Sequence, residues 1–294
     1  MLGPTASGKS EVALRLAEEI GGELMSVDSM QVYRRMDIGT AKPTTADRER
    51  VPHHGIDLVD PAREFSVADF QTHVRSALEQ SDVPVVIAGG SGLHFRAVVD
   101  PLQFRPHDDE LRALVEQLSD EEARSRLLEI DPSAVDHLDI NNPRRVIRAL
   151  EVARLTGETP TARSATSEYQ DLLAYRPLFP FKAVALDAGA SQSDRVEQRL
   201  ASMVAAGLLD EVAELADSLG RTARQAVGYK ELLPVIAGEM TIEAGIEEAR
   251  LATMRLVKRQ RTYFRRDPRL TWLAWSEDPG ERYRAACAAL RSRG

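Results

Sequence analysis

The eight residues Gly3-Pro4-Thr5-Ala6-Ser7-Gly8-Lys9-Ser10 match the phosphate-binding loop pattern G-x-x-x-x-G-K-S in full. In such a loop the glycines let backbone N–H groups turn inward on phosphate oxygens at a helix N-terminus. A lysine neutralises the terminal phosphates, and the hydroxyl that follows it ligates Mg²⁺. Lys9 and Ser10 are candidates for those two tasks. The pattern specifies a phosphate group and leaves the reaction open, with ATP as one possible occupant. Asp28 ends a short apolar run, and Ser91 lies in the loop Gly89-Gly90-Ser91-Gly92 that ends another. On its own Asp28 reads equally as a cap or turn carboxylate. The pair His53-His54 suggests a metal at first sight, but adjacent histidines point apart and no acidic partner stands at ligand spacing. A structural role is expected for them.

These residues must be positioned by an α/β core. Val12, Leu16 and Ile20 recur at helical spacing after the P-loop and stop at Gly21-Gly22. Leu24–Val27 and Pro84–Ala88 read as buried strands, and the alternation of strands and helices over the first hundred or so residues is that of βαβ units. Ligands of parallel sheets bind beyond the carboxyl ends of the strands, which brings Asp28 and Ser91 to one rim. A P-loop ordinarily follows the central strand, and only Met1 and Leu2 precede Gly3. That strand is therefore expected to be missing from the chain, either because the start is assigned late, which is the favoured reading, or because the protein lacks its first strand. From Asp109 the pattern turns helical and polar, with a helix from Asn142-Pro143 to Thr156-Gly157. A strand returns at Lys182–Leu186, and Asp194–Leu219 and Ile242–Arg265 read as helical. The fold class is thus an α/β, P-loop NTPase-like parallel sheet. Residues 1–108 and 179–294 form its core and C-terminal helices, and 109–178 form a helical insertion.

Composition narrows the class. The chain has 294 residues with 38 Lys+Arg against 46 Asp+Glu, long enough for two domains. No apolar run approaches the roughly 18 residues of a membrane span. One cysteine and no basic-then-apolar leader point to the cytoplasm. The charge is uneven: His107–Asp136 carries ten carboxylates and three arginines, and Arg250–Arg269 carries eight basic residues and one acid. That asymmetry suggests a polyanion met by one face, although two solvated helix faces would look alike.

The remaining segments resemble the tRNA dimethylallyltransferase (tRNA isopentenyltransferase) family. Asp28-Ser29-Met30-Gln31-Val32-Tyr33 and Ile38-Gly39-Thr40-Ala41-Lys42-Pro43 are similar to its DS-x-QVY and IGTAKP segments. His53-His54-Gly55-Ile56-Asp57, Gly89–Leu93, Arg144–Glu151, Gly207–Val212, Val227–Glu231 and Lys258–Phe264 continue the series over nearly the whole chain. Ser91 stands where the family usually has threonine, His94 where it has tyrosine, and Gly189 where an arginine is usual.

The resemblance implies transfer of a dimethylallyl group from dimethylallyl diphosphate to N6 of an anticodon-loop adenosine, position 37, of tRNA, releasing diphosphate. It makes Asp28, Ser91 and Lys9 catalytic, with Asp28 the base that takes the amine proton. It assigns the diphosphate to Gly3, Pro4, Thr5, Ala6, Ser7, Gly8, Lys9 and Ser10 with Arg199 as a clamp, and Mg²⁺ to Ser10. A solvated helix arginine is the alternative for Arg199. Asp28, Ser29, Met30 and Gln31 would meet the flipped base, and Arg144, Arg145, Val146, Ile147 and Arg148 the tRNA backbone. The protein is expected to act as a monomer with no membrane partner. The rivals are a small-molecule P-loop kinase and a non-catalytic RNA-binding protein with a vestigial P-loop.

Overall fold

The structure, a computed structural model, describes residues 1–292. The chain divides into two compact units, one comprising Met1–Val99 and the segment from Pro180 onward, the other Asp100–Phe179.

In the first unit, β1 (Glu23–Ser26) pairs in parallel with β2 (His53–His54) on one side and β3 (Val85–Ala88) on the other. A second parallel pair joins β4 (Ala183–Ala185) to β5 (Leu270–Trp272). Leu2 bridges Gly89 and Ala185 in parallel and stitches the two pieces together. Its N–H donates to Val184 O at 2.9 Å, and its carbonyl accepts from Leu186 N at 2.9 Å. Met1 and Leu2 therefore occupy the central strand position expected before a P-loop, and both are buried. The backbone nitrogen of Met1 donates to Ile87 O at 2.7 Å.

The helix Lys9–Glu19 leaves this sheet from the P-loop and buries Val12, Ala13 and Ala17 with Leu24, Val86, Val184 and Leu186. The C-terminal helix Pro279–Arg291 adds Tyr283, Ala286 and Cys287 to the same core. The helical stretch predicted over 194–219 is two helices, Gln192–Ala205 and Leu208–Leu215. Gly207 adopts φ 99° between them, a left-handed value that favours glycine and ends the first helix. No described helix is long and apolar enough to cross a membrane.

The second unit is helical, and its core joins Val115, Ala123, Leu127, Ala134, Val146 and Leu150. It begins at Asp100 rather than 109 because the extended stretch before Asp109 is tied into it. Arg105 pairs with Glu158, and His107 Nδ1 lies 2.5 Å from Glu151. Glu151 is fully buried, with Arg148 at 2.8 Å and Arg112 at 3.4 Å. Burial alone would raise its pKa. The hydrogen bonds from Arg148, the Asp108 N–H and His107 more than offset that and hold it below the usual carboxylate range.

Candidate active site

The P-loop is held in a bent form by its own backbone. Gly3 has φ 141°, Ala6 φ 64° and Gly8 φ 76°, and Gly8 is the N-cap of the following helix with no side-chain cap. The first N–H groups of that helix thus remain for an anion. Lys9 Nζ folds back on Pro4 O at 3.2 Å. Burial first, and then the neighbouring Arg199 charge, push Lys9 down to about 8 against the opposing pull of Asp28. Arg199 is lowered by burial and supported by the same carboxylate. The three charged groups therefore act on one another in a single site.

Two cavities meet there. One of about 460 Å³ is lined by Thr5, Lys9, Ser10, Glu11, Leu14, Ser26, Gln31, Arg50 and His53. The other, of about 440 Å³, is lined by Ser29, Met30, Ser91, Leu93, Met203, Leu256, Arg259 and Tyr263. Thr5, Asp28, Thr40 and Arg199 line both. Asp28 Oδ1 accepts from the N–H of Met30 at 2.8 Å and of Gln31 at 3.4 Å, an Asx turn that fixes the carboxylate at the strand end. Its second oxygen has no hydrogen-bond partner among the described residues.

Ser91 reaches the second cavity beside Asp28, because its N–H donates to Val27 O at 3.1 Å. Its hydroxyl shares a 2.8 Å hydrogen bond with His94 Nδ1. His94 is buried against Phe70, with its pKa pushed down to about 4, so it is neutral and orients the serine hydroxyl. The family's tyrosine position is thus filled by a ring that holds Ser91 from behind.

Other expected roles change. Gln31 does not present a free amide: Nε2 donates to the carbonyls of Thr40 and Ala41 at 3.0 and 3.1 Å, and Oε1 accepts from Ser26 Oγ at 2.7 Å. It ties the end of β1 to the Ile38–Pro43 loop. Val146 lies in the core of the second unit at 2% exposure, and Ile147 packs on the same core. The Val146 side chain cannot meet a partner, because the apolar face of its helix is spent on folding, and Ile147 is half-buried against the same core. Arg148 donates to Arg105 O at 2.7 Å and pairs with Glu151, whereas Arg144 and Arg145 are exposed. In the basic stretch Arg250, Arg255, Arg261 and Arg269 are paired with carboxylates, leaving Lys258, Arg259, Arg265 and Arg266 without an ion pair among the described residues. The His53 ring contacts Val51 O, and His54 contacts Glu23. No group of three or more His, Cys, Asp or Glu able to hold a metal ion occurs among the described residues.

Several residues that hold the site carry no obvious chemical signal in the sequence. Lys42, buried, donates to Tyr33 O, Asp37 and Asp57 at 2.5–2.8 Å. Glu211 accepts from the N–H groups of Asp37, Ile38 and Gly39 at 2.7–2.9 Å and from the Tyr229 hydroxyl. Gln260 accepts from Thr5 N at 2.8 Å, and Tyr263 lies so close to Gly92 that a Cβ there would come within 2.1 Å of its ring. Glu211→Ala should strand three backbone donors and the buried tyrosine. We expect a loss of about 2–4 kcal/mol, seen as a fall of about 5–10 °C in Tm by calorimetry.

The sequence pattern of the IPP transferase family matches residues 31–267, and that of the isopentenyl transferase family matches residues 1–54. The tRNA dimethylallyltransferase of Paenarthrobacter aurescens is 40% identical over 95% of this chain and 91% of its own length. That of Moorella thermoacetica is also 40% identical, over 100% of this chain and 94% of its own. The solved structure of the full-length tRNA isopentenylpyrophosphate transferase from Bacillus halodurans superposes with a TM-score of 0.66 at 34% identity, covering 98% of this chain and 95% of that one. With the P-loop, the Asp28 turn and the clamped Ile38–Pro43 loop in their places, the chain belongs to the IPP transferase family, the family of the tRNA dimethylallyltransferases.

Proposed function

We propose that this protein transfers the dimethylallyl group of dimethylallyl diphosphate to N6 of the adenosine at position 37 of tRNA, in the cytoplasm and as a single chain. The observation that carries the reading is the convergence of two cavities on Asp28 and Arg199, one lined by the P-loop and one by apolar side chains beside Arg259. A phosphate ester and an acceptor base entering from the two sides would meet at the carboxylate.

In this reading Lys9, Arg199 and the loop N–H groups hold the diphosphate. The adenine leaves its stack at a cost of a few kcal/mol, which favours a single-stranded loop. The N6 lone pair forms a bond to C1 of the dimethylallyl group while the C1–O bond breaks, its electron pair passing to the diphosphate. Lys9 and Arg199 stabilise the charge that grows on the leaving oxygen. The proton released from N6 passes to Asp28, within reach of its second oxygen. Ser91, held by His94, would hydrogen-bond either the leaving group or the base.

Mg²⁺ fits this site through Ser10. Its exposed hydroxyl lines the P-loop cavity beside Lys9, and Mg²⁺ commonly takes one or two protein oxygens and completes its shell with phosphate oxygens and water. When bound it would neutralise part of the diphosphate charge.

Incubation with labelled dimethylallyl diphosphate, Mg²⁺ and bulk tRNA, followed by digestion, is expected to yield labelled adenosine. Unlabelled tRNA together with phosphate transfer from ATP to a small molecule would establish the kinase reading instead. On the second unit, Arg144→Ala with Arg145→Ala is expected to weaken tRNA binding and reduce its salt slope by about one unit per lost phosphate contact. Binding titrations at several salt concentrations check this, with the affinity for the donor unchanged. An unaltered slope would leave these two arginines as solvated surface.

A further inference from the structure

The outer side of the P-loop is gripped by side chains that line neither cavity. Gln192 Nε2 donates to Thr5 O at 2.7 Å, and Arg195 Nε donates to Ala6 O at 2.8 Å. Both come from the first turn of the Gln192–Ala205 helix, and Gln192 is 2% exposed. A trans peptide is planar, so a carbonyl held on one side sends the N–H of the next residue to the other. The grip on Thr5 O turns the Ala6 N–H away from Gln192, and the grip on Ala6 O turns the Ser7 N–H away from Arg195. The Ala6 N–H has no hydrogen-bond partner among the described residues, and the Ser7 N–H makes only a 3.3 Å bond to Pro4 O.

The arrangement is held under strain. Ala6 sits at φ 64°, where L-residues seldom rest, and Ser7 Oγ and Gln192 Oε1 are buried without partners. Arg195 is itself aimed from behind. Its guanidinium carbon and that of Arg282 each lie 4.9 Å from the centroid of the Trp275 ring, and the indole N–H donates to Glu277 at 2.9 Å. Arg282, also 2% exposed, packs on Gly8, where a Cβ would come within 3.2 Å of its Nε.

We infer that Gln192 and Arg195 are positioning residues of the phosphate loop, turning the Ala6 and Ser7 N–H groups toward the donor's diphosphate by holding two successive carbonyls from outside. This rests on the reading that the loop binds a diphosphate. Arg195 acts through the backbone and touches no reacting atom. Trp275 keeps its guanidinium on the Ala6 carbonyl.

The test uses the full chain with inorganic pyrophosphate in calorimetric titrations, alongside steady-state kinetics with donor and tRNA. Gln192→Glu and Arg195→Met are each expected to weaken pyrophosphate binding on the order of tenfold, which corresponds to about 1.4 kcal/mol. The KM for the donor should rise in parallel, with kcat and the KM for tRNA within about twofold of the parent. Arg195→Lys, which can still donate to Ala6 O, should recover part of the loss. If either variant fails to fold, Trp275→Leu, which removes the ring shared by Arg195 and Arg282 and replaces no residue that bonds the loop, should give the same selective effect. Folded variants that bind pyrophosphate as tightly as the parent, or that lose tRNA affinity equally, would overturn the inference. A parent chain that binds no pyrophosphate would instead remove the diphosphate reading itself.

Discussion

Asp28→Asn is expected to lower kcat by a factor on the order of 10²–10⁴, the usual worth of a positioned general base, while tRNA affinity stays within a few-fold. The asparagine is the informative substitution. Its side-chain oxygen can still accept from the N–H groups of Met30 and Gln31, so the turn that ends β1 survives. What is lost is the ability of the second oxygen to take a proton, together with a negative charge facing Lys9 and Arg199. Asp28→Ala removes the turn as well and should lower stability in addition. Single-turnover transfer measured beside equilibrium tRNA binding separates the two effects. Equal losses of affinity and rate in Asp28→Asn would make Asp28 a binding residue.

Lys9→Met should lower kcat/KM for the donor by a factor on the order of 10²–10³, because it removes a charge aimed at the leaving group in a partly buried site. Lys9→Arg is not expected to rescue it, since the flat guanidinium cannot fold back over Pro4 O as the ammonium does. The same lysine sets a pH dependence. Burial and Arg199 bring it down to about 8 in the free protein, whereas a bound diphosphate favours its charged form. Below pH 8 the ammonium is present before the donor arrives, and affinity is flat with respect to this group. Above pH 8 the binding reaction must take up a proton, so the dissociation constant for the donor rises toward tenfold per pH unit. Titration calorimetry at pH 7, 8 and 9 in buffers of different ionisation enthalpy reads both the affinity and the proton uptake. An affinity that does not fall between pH 8 and 9 would show that Lys9 stays charged without the ligand.

Much of the site was legible in the chain because its signals are local. The P-loop glycines, the lysine and the serine act within eight residues, and the Asp28 turn closes over three. Helix starts were equally plain: Asn142 caps Pro143–Thr156 by accepting from the Arg145 N–H. The alternation of short apolar runs with helical patterns sufficed for a parallel α/β sheet, since buried strands and amphipathic helices differ in period. These features depend on the chemistry of neighbouring residues and hold whatever the rest of the chain does.

Contacts between residues far apart in the chain were not legible, because no periodicity records which side chain is spent on which partner. Gln31 had the type and place of a base-reading amide, and its hydrogen bonds go to Ser26, Thr40 and Ala41. Arg148 looked like its exposed neighbours Arg144 and Arg145, and it faces the buried Glu151 because of its angle on the helix. Glu211, Gln260 and Gln192 are ordinary helix residues by sequence, and each satisfies backbone groups more than 170 positions away. By itself the sequence determined that a loop of phosphate-binding pattern opens the chain and that a carboxylate stands at the end of the next strand. Only the tertiary structure decided which polar groups are consumed in holding that loop and which are left for a substrate, because a hydrogen-bonding group in a folded core is committed by its nearest partner and not by its type.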